Sequence, residues 1–163
     1  MISLIYARSL NHCIGHKGAV PWDLPDDYSH FENRISGKPI IMGRRTYEDH
    51  KSVLPACLNI VVSRQRDYQI VEGIKLAHSL PDAIDLANQT SSEIFVIGGV
   101  ALFTAALATA SRVYETVVEM ELAGDTVLPY FDFSTWSTEL LQVHPIDERH
   151  DFPFKIYRHY RQP

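Results

Sequence analysis

The sequence predicts an α/β domain: a mostly parallel central sheet of about eight strands, flanked by helices and closed by an antiparallel C-terminal edge. Three observations carry this. Ile2–Ala7, Pro39–Met42, Leu58–Ser63 and Glu93–Gly99 are almost wholly apolar, as strands covered on both faces are. Segments with helical spacing lie between them, and parallel neighbours need such crossovers. Finally, Ser137–His144 and Phe154–Tyr160 bracket a polar turn and read as a hairpin. At 163 residues the chain suits one domain, 1–163, long enough to bury a real core.

In chain order, the first strand is expected to lie centrally and to run into a loop that starts at Arg8. The stretch from Ile14 to Phe31 begins as a glycine-punctuated loop and ends as a helix. There Asp23 occupies an N-cap position, Pro25 a first-turn position, and Asp26 lies where its carboxylate can reach back to the cap. Asp27 is about 100° further round and shares a face with His30 and Phe31. A carboxylate beside an aromatic on the inward face suggests a ligand-binding acid. Spacing alone favours instead a pair of solvated first-turn charges stabilised by the helix dipole. Trp22, held between Val20-Pro21 and Leu24-Pro25, offers one indole N–H near that acid or a water beside it.

Gly37-Lys38-Pro39 breaks the chain, and the strand that follows ends at Gly43. Gly43-Arg44-Arg45-Thr46 then launches a short helix to about His50. Such a strand-to-helix turn exposes N–H groups to phosphate, although an ordinary turn with solvated arginines has the same sequence. The strand Leu58–Ser63 leads into Arg64-Gln65-Arg66; if it neighbours the strand ending at Gly43, Arg45 and Arg64 converge and suit an extra phosphate. Ile74–Ala77 is a short strand, and Ser79-Leu80-Pro81-Asp82 opens a helix with Ala83, Ile84, Leu86 and Ala87 on its apolar face. The strand ending at Gly98-Gly99 feeds an alanine-rich helix, Val100 to Ala110. Arg112–Glu119 is a strand with Thr116 in its middle, followed by the turn signal Gly124-Asp125-Thr126. Ala7, Gly43, Ser63 and Gly98 all mark carboxyl ends of strands, where α/β sheets bind ligands.

Composition narrows the partners. A net charge of -5 without a basic run argues against nucleic acid and anionic membranes as the main partner, which leaves small molecules. No apolar run reaches bilayer length, and Met-Ile-Ser-Leu-Ile lacks the flanks of a signal peptide, so a cytoplasmic protein is expected. Cys13 and Cys57 do not make a disulfide framework. The eight histidines show no His-x-x-x-His or His-Glu-x-x-His spacing, so no metal is expected.

Taken together, Ile14-Gly15, Pro21-Trp22-x-Leu24-Pro25-x-Asp27, Phe31, Gly43-Arg44-Arg45-Thr46, Leu54-Pro55, Ile97-Gly98-Gly99, Thr116 and Gly124-Asp125-Thr126 are in register along the whole chain. In these residues the sequence resembles the bacterial dihydrofolate reductases. The resemblance implies reduction of 7,8-dihydrofolate to tetrahydrofolate for one-carbon metabolism, with NADPH as cofactor, hydride transfer to C6 and protonation of N5. It further implies an antifolate target that acts as a monomer. Asp27, Trp22 and Thr116 form the implied catalytic set. Ile5, Ala7, Asp27, Tyr28, Phe31, Leu54 and Thr116 are the implied substrate residues. On the cofactor side it implies Ala7, Ile14, Gly15 and Ala19, then Gly43, Arg44, Arg45, Thr46, Ser63 and Arg64, then Ile97, Gly98, Gly99, Val100, Ala101, Leu102 and Phe103. The 2'-phosphate falls to Arg45, Ser63 and Arg64, and Gly15 to Val20 becomes a lid over the nicotinamide.

Departures from the pattern are informative. Cys57 stands where the family usually has an arginine for the folate α-carboxylate, an interaction that contributes roughly 1.5–3 kcal/mol. Weaker binding, replacement by Lys51 or Arg34, and preference for a tail-less pterin are three outcomes of that change; the last allows a reductase of tail-less dihydropterins or of a riboflavin-pathway pyrimidine, against which Trp22 and Asp27 argue. A binding protein without turnover is the third class considered. The glycine common near His50-Lys51 is missing, and Phe103 replaces a common tyrosine.

Overall fold

The computed structural model describes residues 1–15, 22–50, 54 and 57–162. Its strands form an eight-stranded sheet in the order β5-β4-β3-β6-β1-β7-β10-β9 and a two-stranded ribbon, β2-β8. The strands are β1 (Ile2–Ser9), β2 (Cys13–Gly15), β3 (Pro39–Gly43), β4 (Leu58–Val62), β5 (Lys75–Ala77), β6 (Ile94–Gly98), β7 (Arg112–Val118), β8 (Thr126–Val127), β9 (Ser137–His144) and β10 (Phe154–Tyr160). Among the described residues the helices are α1 (Pro25–Ile35), α2 (Arg44–His50), α3 (Leu80–Asn88) and α4 (Val100–Leu107). None of them is long and apolar enough to cross a membrane. The contacts group the chain into two compact units, Met1–Leu4 with Arg34–Ala110, and Ile5–Asn33 with Ser111–Pro163.

In the first unit the parallel ladder is regular. β3 lies between β4 and β6, pairing Ile41 with Ile60 on one side and with Val96 on the other. Burial on both faces explains the unbroken apolar runs: Ile40, Ile41, Ile60, Val61, Ile94, Phe95 and Val96 are fully buried. Each contributes about 1.5–3 kcal/mol relative to exposure. Ser79 caps α3, its hydroxyl accepting from the Asp82 N–H at 3.1 Å, and the helix turns Ala83 and Ala87 into the core. Gly37, at φ +76°, makes the left-handed turn that separates α1 from β3.

In the second unit β10 pairs antiparallel with β7 and with β9, the latter pairing shifting register between Ile156 and Tyr157. Leu24, Val118, Phe154 and Ile156 form its buried cluster, with Trp22, Met120, Leu141 and Phe152 packed against it. The ribbon pairs Cys13 with Val127 and Gly15 with Thr126. Gly124 is what lets the ribbon close: a Cβ there would lie 2.1 Å from Cys13 Sγ and 2.4 Å from the Gly15 carbonyl oxygen.

Several boundaries differ from the sequence expectation. β1 continues through Arg8 to Ser9, because Arg8 finds a buried partner. β2 and β8, of three and two residues, are too short to show a period and were expected as loop and turn. α1 starts at Pro25, with the Tyr28 N–H donating to the Leu24 carbonyl, so Asp23 is an exposed residue before the helix and not its cap. Asp26 accordingly does not reach back to a cap; it is held by the β9–β10 turn. α4 stops at Leu107, and Ala110 lies beyond it.

Candidate active site

The acid is built by two elements of the second unit. Asp27 sits in the first turn of α1, and Thr116, buried in the middle of β7, donates from Oγ1 to Asp27 Oδ1 at 2.7 Å. Among the described residues Oδ2 has no partner, so one carboxyl oxygen is fastened and the other can meet a ligand. Burial raises the Asp27 pKa above the usual carboxylate range, and the Thr116 hydrogen bond opposes that only in part. The group therefore keeps its proton further up the pH scale than a surface aspartate.

Strand alternation decides what surrounds it. Tyr6 and Arg8 of β1 both reach Glu115 of β7, so they share a face with Glu115. Ile5, Ala7 and Thr116 consequently occupy the opposite face, that of Asp27. Ile5 is buried, Ala7 and Phe31 are half-buried, and Tyr28 is 55% exposed with its ring 6.1 Å from Phe31. Trp22 packs on the Leu24–Phe154 cluster, which anchors the residue before α1.

Glu115 is a second buried acid, and no motif in the sequence marks it. It is 6% exposed and accepts from the Tyr6 hydroxyl at 2.8 Å and from Arg8 Nε at 2.9 Å, with His159 Nε2 at 3.1 Å. Burial alone pushes its pKa up, but the His159 hydrogen bond, the Arg8 charge and the bonds from Arg8 and Tyr6 outweigh it and bring the pKa down to about 2. Its signal was present: an acid within a Val/Tyr-rich strand needs a cation opposite, and Arg8 in an otherwise apolar strand supplies one.

The first unit carries the glycine turns. β3 ends at Gly43 and β4 runs parallel beside it, as the arginine argument requires. Arg45 and Arg64 are exposed at the carboxyl ends of these strands. Arg44 turns instead to Glu48, at 3.4 Å, and lies over the Tyr68 ring. Ser63 is buried, its hydroxyl accepting from the Gln65 N–H at 3.1 Å. At the end of β6 the Gly98–Gly99 peptide is cis and Gly98 has φ +151°. A Cβ on Gly98 would lie 2.9 Å from Thr46 Oγ1, so only glycine lets the two strand-to-helix turns meet. α4 begins directly after Gly99 with no side chain capping it, which leaves its first N–H groups to a ligand or water. Val100 and Leu102 are half-buried there, Ala101 is exposed and Phe103 is buried.

The remaining expected residues are scattered or outside the description. Ile14 and Gly15 lie in β2, and Ile97 is half-buried in β6. Leu54 is half-buried and fastened by Asn59, whose Oδ1 accepts its N–H at 3.2 Å and whose Nδ2 donates to its carbonyl at 3.1 Å. Ala19, Lys51 and all of the expected Gly15 to Val20 lid beyond Gly15 lie outside the described residues. Cys57 directs its thiol at the Ile35 carbonyl, 3.4 Å away at the end of α1, and burial raises its pKa. His144 and His150, which share no metal-binding spacing in the sequence, are gathered with Asp26 and Asp147 by the β9–β10 turn.

An inward carboxyl fastened by a strand threonine, with strand-to-helix glycine turns and an uncapped helix start, defines an α/β protein built to bind a small ligand and a phosphate-bearing cofactor. Comparison with known proteins is specific. The dihydrofolate reductase family model matches residues 1–161. Dihydrofolate reductase type 3 of Salmonella typhimurium is 39% identical over 152 residues, covering 93% of each chain. The dihydrofolate reductase of Bacillus subtilis is 38% identical over 159 residues, covering 96% of this chain and 94% of that one. Among solved structures, the Enterococcus faecalis dihydrofolate reductase complexed with NADP(H) and RAB-propyl superposes with a TM-score of 0.93 at 26% identity, covering 100% of this chain and 97% of that chain. The chain belongs to the dihydrofolate reductase family.

Proposed function

We propose that this protein reduces 7,8-dihydrofolate to 5,6,7,8-tetrahydrofolate with NADPH, by hydride transfer to C6 and protonation of N5, and that Asp27 is its pterin-binding acid. The hydrogen bond from Thr116 to Asp27 carries the assignment, since it joins residues 89 positions apart into one polar group. Ionised, the Asp27 carboxylate accepts from the pterin N3–H and 2-amino group; protonated, it carries a proton into a reaction that consumes one. Burial raises its pKa above that of a surface aspartate and so favours the protonated form. Thr116 fixes the carboxyl's orientation, and Ile5, Ala7 and Phe31 supply apolar walls. Trp22 anchors the chain entering α1 and holds water beside the acid.

NADPH supplies the hydride when bound. The residues present suit it: the uncapped α4 start and Gly98-Gly99 accept a close phosphate-bearing ligand, and Arg45 and Arg64 offer guanidinium groups that favour a 2'-phosphate. We assign Ala7, Ile14, Gly15 and Ala19 to the nicotinamide side, Gly43 to Thr46 with Ser63 and Arg64 to the phosphates, and Ile97 to Phe103 to the helix start against the cofactor. We also assign Tyr28 and Leu54 to the substrate. The family match supports treating residues 1–163 as one functional domain, and we take it as a cytoplasmic monomer that antifolates inhibit, testable by sedimentation and by inhibitor titration.

NADPH oxidation in the presence of dihydrofolate, followed by loss of near-ultraviolet absorbance, tests the reading. Turnover that depends on dihydrofolate and falls by at least about 10²-fold in Asp27→Asn is expected. A folded protein without dihydrofolate-dependent oxidation refutes it.

A further inference from the structure

The turn between β9 and β10 grips the start of α1 at the residue preceding the acid. Asp26 is held three ways: Oδ2 is 2.8 Å from His144 Nε2, Oδ1 accepts from Arg149 Nη2 at 2.7 Å, and its backbone N–H donates to His150 Nε2 at 3.1 Å. The gripping residues have a firm base. His144 stacks on Phe154 with centroids 4.7 Å apart and planes 9° apart, and His150 and Phe154 are fully buried. Within the turn, Asp147 and His150 exchange backbone hydrogen bonds of 3.1 and 3.2 Å.

The protonation pattern follows from the partners. His150 accepts at Nε2, so its proton is on Nδ1, which donates to Asp147 Oδ1 at 2.7 Å. His144 faces oxygens at both nitrogens, the Pro145 carbonyl at 2.7 Å from Nδ1 and Asp26 from Nε2, with Asp147 Oδ2 3.6 Å from Nε2. Both His144 nitrogens therefore face oxygens that only accept. The charged and titratable groups facing it are Asp26 from α1 and Asp147, Arg149 and His150 from the turn. The same four side chains, Asp26, His144, Asp147 and His150, bring ligand-type atoms within 4.8 Å of one another. Both His150 nitrogens are already committed, however, so hydrogen bonds close the cluster and a metal is not its reading.

We propose that this clasp aims the catalytic acid: Asp26, His144 and Arg149 are positioning residues that fix the first turn of α1 and thereby the direction of the Asp27 carboxyl. The proposal rests on the reading of Asp27 given above. Asp26 and Asp27 are consecutive in that turn, so a turn freed to rotate or fray carries Asp27 with it, and an error near 1 Å can cost as much as about 10²-fold in rate. In support, the Asp26 carboxyl is held below the usual range by the His144 hydrogen bond first and, against a burial cost, by the charge and hydrogen bond of Arg149.

The test compares Asp26→Asn, His144→Gln, Arg149→Ala, Arg149→Lys and the Asp26→Asn/His144→Gln pair with wild type and Asp27→Asn. Steady-state kinetics across pH and thermal unfolding are measured on the full chain. Asp26→Asn and His144→Gln are expected to lower kcat/KM for dihydrofolate about fivefold to twentyfold, to shift the pH profile, and to leave the NADPH KM within about twofold. The pair is expected to match the worse single variant, as members of one device do. Arg149 is 62% exposed at its side chain, so Arg149→Ala removes one arm without opening the core, and Arg149→Lys is expected to restore most of the loss. Lower melting temperatures with wild-type kcat/KM and pH profile in all these variants overturn the clasp as a positioning device. Unchanged turnover in Asp27→Asn overturns the reading of the acid instead, and the proposal with it.

Discussion

Removing the charge of Glu115 tests the buried network of the second unit quantitatively. The Glu115 pKa falls from an ordinary 4.5 to about 2 in the folded protein. At about 1.4 kcal/mol for each tenfold change in proton affinity, this is about 3 kcal/mol of stability. Its side chain is 7% exposed, so solvent screening removes little of that figure. The folded state holds the ionised form more tightly than the unfolded chain does. The contribution is therefore present above about pH 4.5 and is lost as pH falls through 4.5 toward 2. Glu115→Gln keeps the shape but leaves Arg8 and His159 against a neutral partner, which is expected to cost about 3 kcal/mol at pH 7. Urea unfolding of wild type and variant at several pH values from 7 to about 3.5 measures the gap. Other depressed acids, Asp26, Asp132 and Asp147, titrate alike in both proteins and cancel in the difference. The gap should shrink steadily below pH 4.5. A gap that stays constant with pH, or is absent at pH 7, refutes the electrostatic account of Glu115.

Further expectations follow from the same geometry. Thr116→Val removes the hydrogen bond that favours ionised Asp27, so the Asp27 pKa rises further and the decline of activity with rising pH moves to higher pH, with kcat/KM down about tenfold in pH–rate measurements. Gly98→Ala places a Cβ 2.9 Å from Thr46 Oγ1 at φ +151°; it should cost about 1–3 kcal/mol in denaturation and weaken NADPH binding in calorimetry while dihydrofolate affinity changes less. Gly124→Ala meets Cys13 Sγ at 2.1 Å and backbone at 2.4 Å, so protection of the β2–β8 ribbon in hydrogen exchange should collapse. Phe154→Ala empties a fully buried site and takes the stacking surface from His144, with an expected loss of about 3–5 kcal/mol in urea unfolding.

Legibility varied with the physics behind each feature. The buried strands were readable because burial on both faces forces continuous apolar runs, and β9 and β10 fell on Ser137–His144 and Phe154–Tyr160 as expected. Ser79 was readable as a cap because the signal and the bond lie three residues apart. The cap at Asp23 failed because proline, also favoured early in helices, set the start one residue later than the aspartate signal allowed. The ribbon was missed because segments of two and three residues carry no period.

Local chemistry therefore determined the strands, the glycine turns and Asp27 as a candidate acid, since each rests on residues a few positions apart. Sequence spacing alone could not separate a ligand-binding Asp27 from a solvated one. Tertiary structure decided what each carboxyl meets inside the protein, by bringing Thr116 to one aspartate and His144, Arg149 and His150 to its neighbour, across separations of 89 and of 118 to 124 residues. The physical reason is that a carboxylate's role is set by what desolvates it and what donates to it, and in a folded sheet both come from strands and turns remote along the chain.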